Sequence, residues 1–399
     1  MADENTRSVR ARQTAIGFSI AAVVIAVAGG YLFQTMHIDA PIVAGPGVTK
    51  KSMLSDVLPS LKGTDGDTAV YTLDSGQPGG TYVVLGGTHP QEIAGLLAAT
   101  LLIENAKVTA GKLIVIPEAN HSGFTYTDPM EAYYHDITIT RPDGTTRWFP
   151  VGMRRTNPTD QWPDPDAYVH VPSGERMIGE ESRNLNRNHP GLAGGTITAQ
   201  VSYALTQLVK GSNIVLDLHE AQPEYPVINK VVYHERATGT AAEAVSFNLK
   251  ADGIPMSGDP SARNLHGLSH REFGDFTPAQ ALLAETANPA MGRFRGRLGD
   301  ALVIGGKEPN YVAATKLGQK GLLFVPFDDN GWPLQVRIGR HLATIVELIN
   351  AYNGSNKATA VKITGVPDFN EIMKNDLTNG VGKYLLPAPA GSPSAPPFA

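Results

Sequence analysis

His89 and Glu92 stand three residues apart in the stretch Gly86-Gly87-Thr88-His89-Pro90-Gln91-Glu92, and a second imidazole, His219, closes Asp217-Leu218-His219. If His89 ends a strand and Glu92 lies in the first turn of the helix that follows, both reach one ion beyond the strand's C-terminal edge, where open α/β sheets place their sites. Two neutral imidazoles and one carboxylate make a zinc set that leaves a fourth position open for water, a hydrolase's arrangement. Two other stretches draw attention, Asn184-Leu185-Asn186-Arg187 and Ala284-Glu285-Thr286, the second placing a carboxylate at the end of an apolar run. A lone His-x-x-Glu occurs by chance in many chains. Together, imidazoles and carboxylates beside apolar segments need a partner, because such groups are rarely buried without one, and a metal supplies it.

The elements that must hold these residues are readable from periodicity. Apolar runs at 82–85, 112–116, 213–218 and 281–284 read as buried strands, 69–73 and 230–233 as further strands, and 93–103, 196–209, 241–250 and 334–353 as helices. Alternation of this kind implies an α/β fold: three layers, a mixed and mostly parallel sheet with helices on both faces. The span 118–181 is long and irregular, with Phe124, Tyr126, Tyr133, Tyr134, Trp148 and Phe149 among prolines and aspartates. It is expected to be an insertion that roofs the site, with a small packing subdomain as the competing reading.

In these motifs the chain resembles the zinc carboxypeptidase superfamily, and within it the succinylglutamate desuccinylase and aspartoacylase branch. That pattern reads Gly-Gly-x-His-Gly-x-Glu, then Asp-Leu-Asn-Arg, then a strand ending in His, then a late strand carrying Glu. The resemblance spans residues 68–353. It implies one zinc ion held by His89, Glu92 and His219, a substrate carboxylate held by Asn186 and Arg187, and Glu285 as general base. Arg183, just ahead of that motif, is a further candidate substrate contact. Met153-Arg154-Arg155-Thr156 resembles the region that supplies an oxyanion arginine, for which Arg155 is the candidate. Solvated surface charge is the competing reading for Arg154, Arg155 and Arg183. The chain departs from the pattern twice. Pro90 replaces Gly after the first His and restricts His89 to extended backbone. Asn184 replaces the Asp whose carboxylate orients a metal-bound imidazole, which leaves Glu180 or Glu181 as a substitute acid. The terminal helix at 334–353 resembles the carboxypeptidase arrangement more than the deacylase one. His121, His170, His189, His234, His266 and His270 are expected to be structural or exposed.

Composition narrows the function classes. The chain has 399 residues, 42% of them hydrophobic, and a formal charge of -5, with acidic and basic residues interspersed. No basic stripe suggests a nucleic-acid partner. With no cysteine, disulfides, thiolate ligands and a cysteine nucleophile are excluded. Arg7, Arg10 and Arg12 precede the uncharged run 15–33, nineteen residues where about twenty span a bilayer core. The positive-inside rule puts everything after that run across the membrane. The expected organisation is therefore a cytoplasmic 1–12, a signal anchor at 13–33, a stalk at 34–60, a catalytic domain at 61–353 and an extension at 354–399 with a flexible Pro-rich end. A signal peptide cleaved after Ala28 is the alternative, and either exports the body to the periplasm or cell surface.

The function expected is an exported zinc hydrolase cleaving the amide of an N-acyl amino acid or short peptide that bears a carboxylate. A metallocarboxypeptidase trimming envelope peptides is the nearest alternative, and a membrane-tethered binding protein with an inactive pocket is the alternative of another class.

Overall fold

Along the strand at residues 81–85, successive side chains enter two different cores: Tyr82 and Val84 pack with one apolar cluster, Val83 and Leu85 with another. A period of two across a sheet covered on both faces produces this split. The structure is a computed structural model and describes residues 2–128, 135–223, 228–292, 295–322 and 329–393.

In chain order its principal elements are α1 (Ala2–Thr35), β1 (Lys50–Met53), β2 (Ala69–Asp74), β3 (Thr81–Leu85), α2 (Ile93–Asn105), β4 (Lys112–Ile116), α3 (Ile197–Val209), β5 (Ile214–Ala221), β6 (Lys230–Tyr233), β7 (Ser257–Pro260), α4 (Ser269–Phe276), β8 (Gln280–Ala287) and α5 (Leu334–Ser355). The eight strands form one sheet in the order β1-β2-β4-β3-β5-β8-β6-β7. The central pairs β4/β3, β3/β5 and β5/β8 are parallel, as is the edge pair β6/β7. The other three pairings are antiparallel. The expected mixed, mostly parallel three-layer sheet is therefore observed.

One face carries α2 and α5, whose Leu97, Leu101, Leu342 and Ile345 pack on Val84, Leu216 and Leu282. The other carries α3, whose Val201 and Leu205 meet Val83, Val215 and Ala281. Each such buried aliphatic side chain contributes roughly 1.5–3 kcal/mol. Every residue of α2 from Ile93 to Glu104 is buried, which explains why its sequence is apolar all round rather than striped.

Glu104, the one carboxylate in that helix, gathers three distant segments. It pairs with Arg147 at 3.0 Å, both side chains fully buried, and accepts N–H groups of Val43 and Leu386. Arg147 donates in turn to the carbonyls of Pro41 and Leu386. The 34–60 stretch, expected to be a stalk, is thus held to the body and adds the edge strand β1 to the sheet. Close packing agrees: a Cβ on Gly45 would lie 2.2 Å from the Glu104 carbonyl, and one on Gly47 2.0 Å from that of Ala106. The 354–399 extension also packs, pairing Lys362–Thr364 with the strand Lys107–Ala110. The end of its Pro-rich stretch, 394–399, lies outside the described residues, as do Tyr133 and Tyr134.

Within 118–181 two hairpins form, Asp136–Thr140 with Thr146–Pro150 and Ala167–Val169 with Arg176–Ile178. Phe124 and Phe149 belong to the core. The helix α1 contains a stretch, Ser8–Thr35, long and apolar enough to cross a membrane, and none of it packs inside the body until Thr35.

Candidate metal centre

Three strand ends assemble the site. After β3 the chain turns through Gly87, at φ +62°, where a side chain would be strained and its Cβ would lie 2.8 Å from the Phe124 ring. His89 follows, and the N–H of Glu92 bonds to the His89 carbonyl at 2.9 Å as α2 begins. The next strand over, β5, carries Asp217 and His219 two residues apart, hence on one face. Its parallel neighbour β8 sets Glu285 in register with His219. The carboxylate of Glu220, fully buried against Arg337 at 2.7 Å, accepts the Ala94 N–H at 3.0 Å and ties the start of α2 to β5.

His89, Glu92 and His219 converge, all three buried, with their ligating atoms within 4.8 Å of one another. His89 Nδ1 lies 2.7 Å from Glu92 Oε1, His219 Nδ1 lies 2.8 Å from Glu92 Oε2, and the two Nδ1 atoms are 3.1 Å apart. The outer nitrogens decide what this means. His89 Nε2 is 3.0 Å from Asn184 Oδ1, an oxygen that also accepts the Asn186 N–H, so the imidazole must donate there. His219 Nε2 donates to Asp217 Oδ2 at 2.9 Å. When both imidazoles are neutral with the proton on Nε2, their Nδ1 lone pairs face each other and a carboxylate. Such a cluster needs positive charge at its centre, and these donors are the ones a zinc ion takes. Without an ion, the positive charge falls on His219: although burial opposes it, Asp217 and Glu92 push its pKa well up, while burial and then Arg154 drive that of His89 down to about 4.

The orienting groups are themselves held. Asp217 accepts the hydroxyls of Thr88 at 2.8 Å and Ser269 at 2.5 Å. The amide of Asn184 donates to Glu181 Oε2 at 2.6 Å, so the acid that the sequence left open is Glu181, acting on His89 through Asn184. Glu285 is different: its Oε2 is buried without a hydrogen-bond partner. Burial, then nearby Glu92 against the opposing pull of His219, raises its pKa well above the usual carboxylate range.

Beside the cluster opens a cavity of about 980 Å³ lined by Gln91, Tyr126, Met153, Arg154, Arg155, Arg183 and Arg187 among others. The ligands lie behind its wall, with Arg154 Nη1 3.4 Å from Glu92 Oε1. Arg155 is engaged by Glu180 at 2.9 Å and Glu181 at 2.8 Å, and Arg183 forms a two-point pair with Asp164 at 2.7 and 2.9 Å. Arg187 bonds its neighbour's carbonyl, and burial followed by repulsion from Arg154 lowers its pKa. Asn186 is turned inward, accepting the Ser269 N–H at 2.7 Å with its nitrogen 3.4 Å from His219 Nε2. The structure brings Arg154, Arg155, Arg183 and Arg187 to one cavity; acids engage Arg155 and Arg183 at 2.7 to 2.9 Å, whereas Arg154 lies 3.4 Å from Glu92 and Arg187 3.8 Å from Glu181. Asp217 and Arg154 carry weight that the sequence reading did not give them; the spacing of Asp217 from His219 on one strand was the available signal.

No protein-family model and no curated protein matches the chain. Among solved structures it is similar to a succinylglutamate desuccinylase from Silicibacter sp., with 15% identity, a TM-score of 0.35 and coverage of 66% of this chain and 63% of that one. A metallo-carboxypeptidase from Burkholderia cenocepacia matches with 11% identity, TM-score 0.42 and coverage of 77% and 66%. The apo cell shape determinant protein of Helicobacter pylori matches with 13% identity, TM-score 0.41 and coverage of 74% and 56%. The chain thus spans less than two thirds of the length of that desuccinylase. At these scores no residue role, ligand or activity follows from the likeness.

Proposed function

We propose that the chain is a zinc-dependent hydrolase that cleaves the amide bond of an N-acyl amino acid or short peptide bearing a free carboxylate, on the outer side of a membrane that α1 crosses. The observation that carries this is the convergence of the two Nδ1 atoms on the buried Glu92 carboxylate. His89, Glu92 and His219 would hold a zinc ion, which would supply the Lewis acidity that lowers a water's pKa toward about 7 and polarises a carbonyl.

The chain's own residues do the rest. Asn184 and Asp217 keep both imidazoles in the tautomer that turns Nδ1 inward. Glu285, in register with His219 and with its Oε2 free of any hydrogen bond, takes the proton of the attacking water and returns it to the leaving nitrogen. Its orphaned carboxylate also weighs against a binding protein with an inactive pocket, which has no use for it. Arg187 grips the substrate carboxylate through its planar fork. Arg154, next to Glu92 and free of the acids that hold Arg155, is the arginine placed to meet the developing oxyanion. The cavity's volume suits a short peptide as well as an acylated amino acid.

The test is hydrolysis of N-acyl amino acids and dipeptides by the full-length protein. Activity abolished by a chelator and restored by zinc is expected, with amidated analogues cleaved more poorly. Turnover that survives complete zinc removal contradicts the reading.

A further inference from the structure

The cavity beside the metal centre has two walls of unexpected origin: Phe33 and His37, from the end of α1 and the residues just after it. The apolar run of α1 ends at Phe33, so a helix spanning a bilayer brings its membrane-water boundary to that residue. No slack separates the two. Thr35 and Ala40 are buried, His37 Nε2 lies 3.4 Å from Asp65, and Asp39 accepts from His121 at 2.9 Å. The clasp of Arg147 and Glu104 on Pro41 and Val43 follows at once. With α1 in a bilayer, these contacts would turn the cleft side of the body toward it. In the cavity, Phe33, Met153, Ala290 and Met291 offer apolar contact, and Arg154 and Arg187 offer positive charge.

Resting on the zinc-hydrolase reading, we propose that the cleft opens onto the membrane surface and takes its substrate from the bilayer: an amphiphile whose acyl tail stays in the lipid while its amide and anionic head enter the cavity. Hydrolysis adds water across that amide, so the acyl carboxylate remains with the lipid and the amine-bearing head leaves on the aqueous side.

Two measurements on the full-length, zinc-loaded protein in phosphatidylcholine vesicles test this. Because the chain has no cysteine, single fluorophores can be placed at Thr159→Cys, on the cavity rim, and at Ala358→Cys, next to Thr359, whose carbonyl accepts the Gly80 N–H just before β3, at the opposite end of that strand from His89. Lipids spin-labelled at the headgroup are expected to quench the Thr159→Cys label strongly and the Ala358→Cys label little. Second, a Gly/Ser linker of about ten residues inserted between Gln34 and Thr35 adds roughly 17 Å of root-mean-square reach and frees the body from the surface. The preference in kcat/KM for an N-dodecanoyl over an N-acetyl amino acid is then expected to fall about tenfold or more. Equal quenching of both labels, or a chain-length preference untouched by the linker, overturns the proposal. If neither compound is hydrolysed at all, it is the amide-hydrolase reading that fails, and the quenching comparison still decides which way the cleft faces.

Discussion

Asn184 stands where the related pattern has an aspartate, and the structure shows how the charge is replaced at one remove. Its oxygen orients His89, and its nitrogen reaches Glu181, which in turn holds Arg155. A carboxylate therefore still backs one imidazole through an amide, while the other is backed directly by Asp217. At Glu285 the reverse holds, since no group of the fold hydrogen-bonds its buried Oε2. Glu285→Gln keeps the shape but cannot accept a proton, so kcat is expected to fall by about two to four orders of magnitude with zinc content unchanged. Arg187→Lys keeps the charge and loses the fork, so its loss is expected in KM, and more on substrates with a free carboxylate than on amidated ones. Steady-state kinetics separates the two; a Glu285→Gln protein with the parent's kcat removes the base assignment. His89, His219 and Glu285 were legible in the sequence because each follows an apolar run, and Glu92 because it comes three residues after His89, where α2 begins. Which arginine is available was not, because it depends on acids such as Glu180 and Asp164 that only the fold brings alongside.

The element that aligns the centre is α2, whose first residue follows Glu92 directly. Gly95 lets it lie against β5: a Cβ there would sit 2.8 Å from the Leu218 carbonyl and 3.2 Å from the Leu218 Cβ. In an exposed helix Gly→Ala gains up to about 1 kcal/mol. Here Gly95→Ala is expected to destabilise by about 1–3 kcal/mol, because the contact is backbone on one side and neither element can give way without moving Glu92 or His219. Denaturant melts and zinc titration of this one variant check both consequences, and a more stable protein refutes the packing argument. Apolar periodicity found β3, β4, β5, β8, α3 and α5 from the sequence. It did not find β1 or β7, since Lys50–Met53 and Ser257–Pro260 are short, polar edge strands whose only reason to be extended is the neighbour they pair with.

Across the whole molecule the terminal segments are built into the body rather than appended to it. Their clasps, Glu104 with Arg147 and Asp39 with His121, join residues 43 and 82 positions apart, a separation no local pattern reveals. The second clasp makes stability depend on pH. Although burial opposes it, Asp39 and Glu118 raise the His121 pKa to about 9, so its contribution is complete below its ordinary value of 6.5 and is lost as pH rises through 9. Burial raises the Glu118 carboxyl from 4.5 to about 7, so ionising it costs stability over that interval too. Both act in one direction: thermal melts of the parent protein are expected to fall from pH 4.5 to 9 relative to a His121→Gln, Glu118→Gln variant, and parallel profiles would contradict the clasp. The central claim, a zinc centre of two imidazoles and one carboxylate, is tested most directly by the metal content of the purified full-length protein. One zinc per chain is expected, lost in His89→Ala and in His219→Ala and kept in Glu285→Gln; full zinc occupancy in either histidine variant would contradict the account.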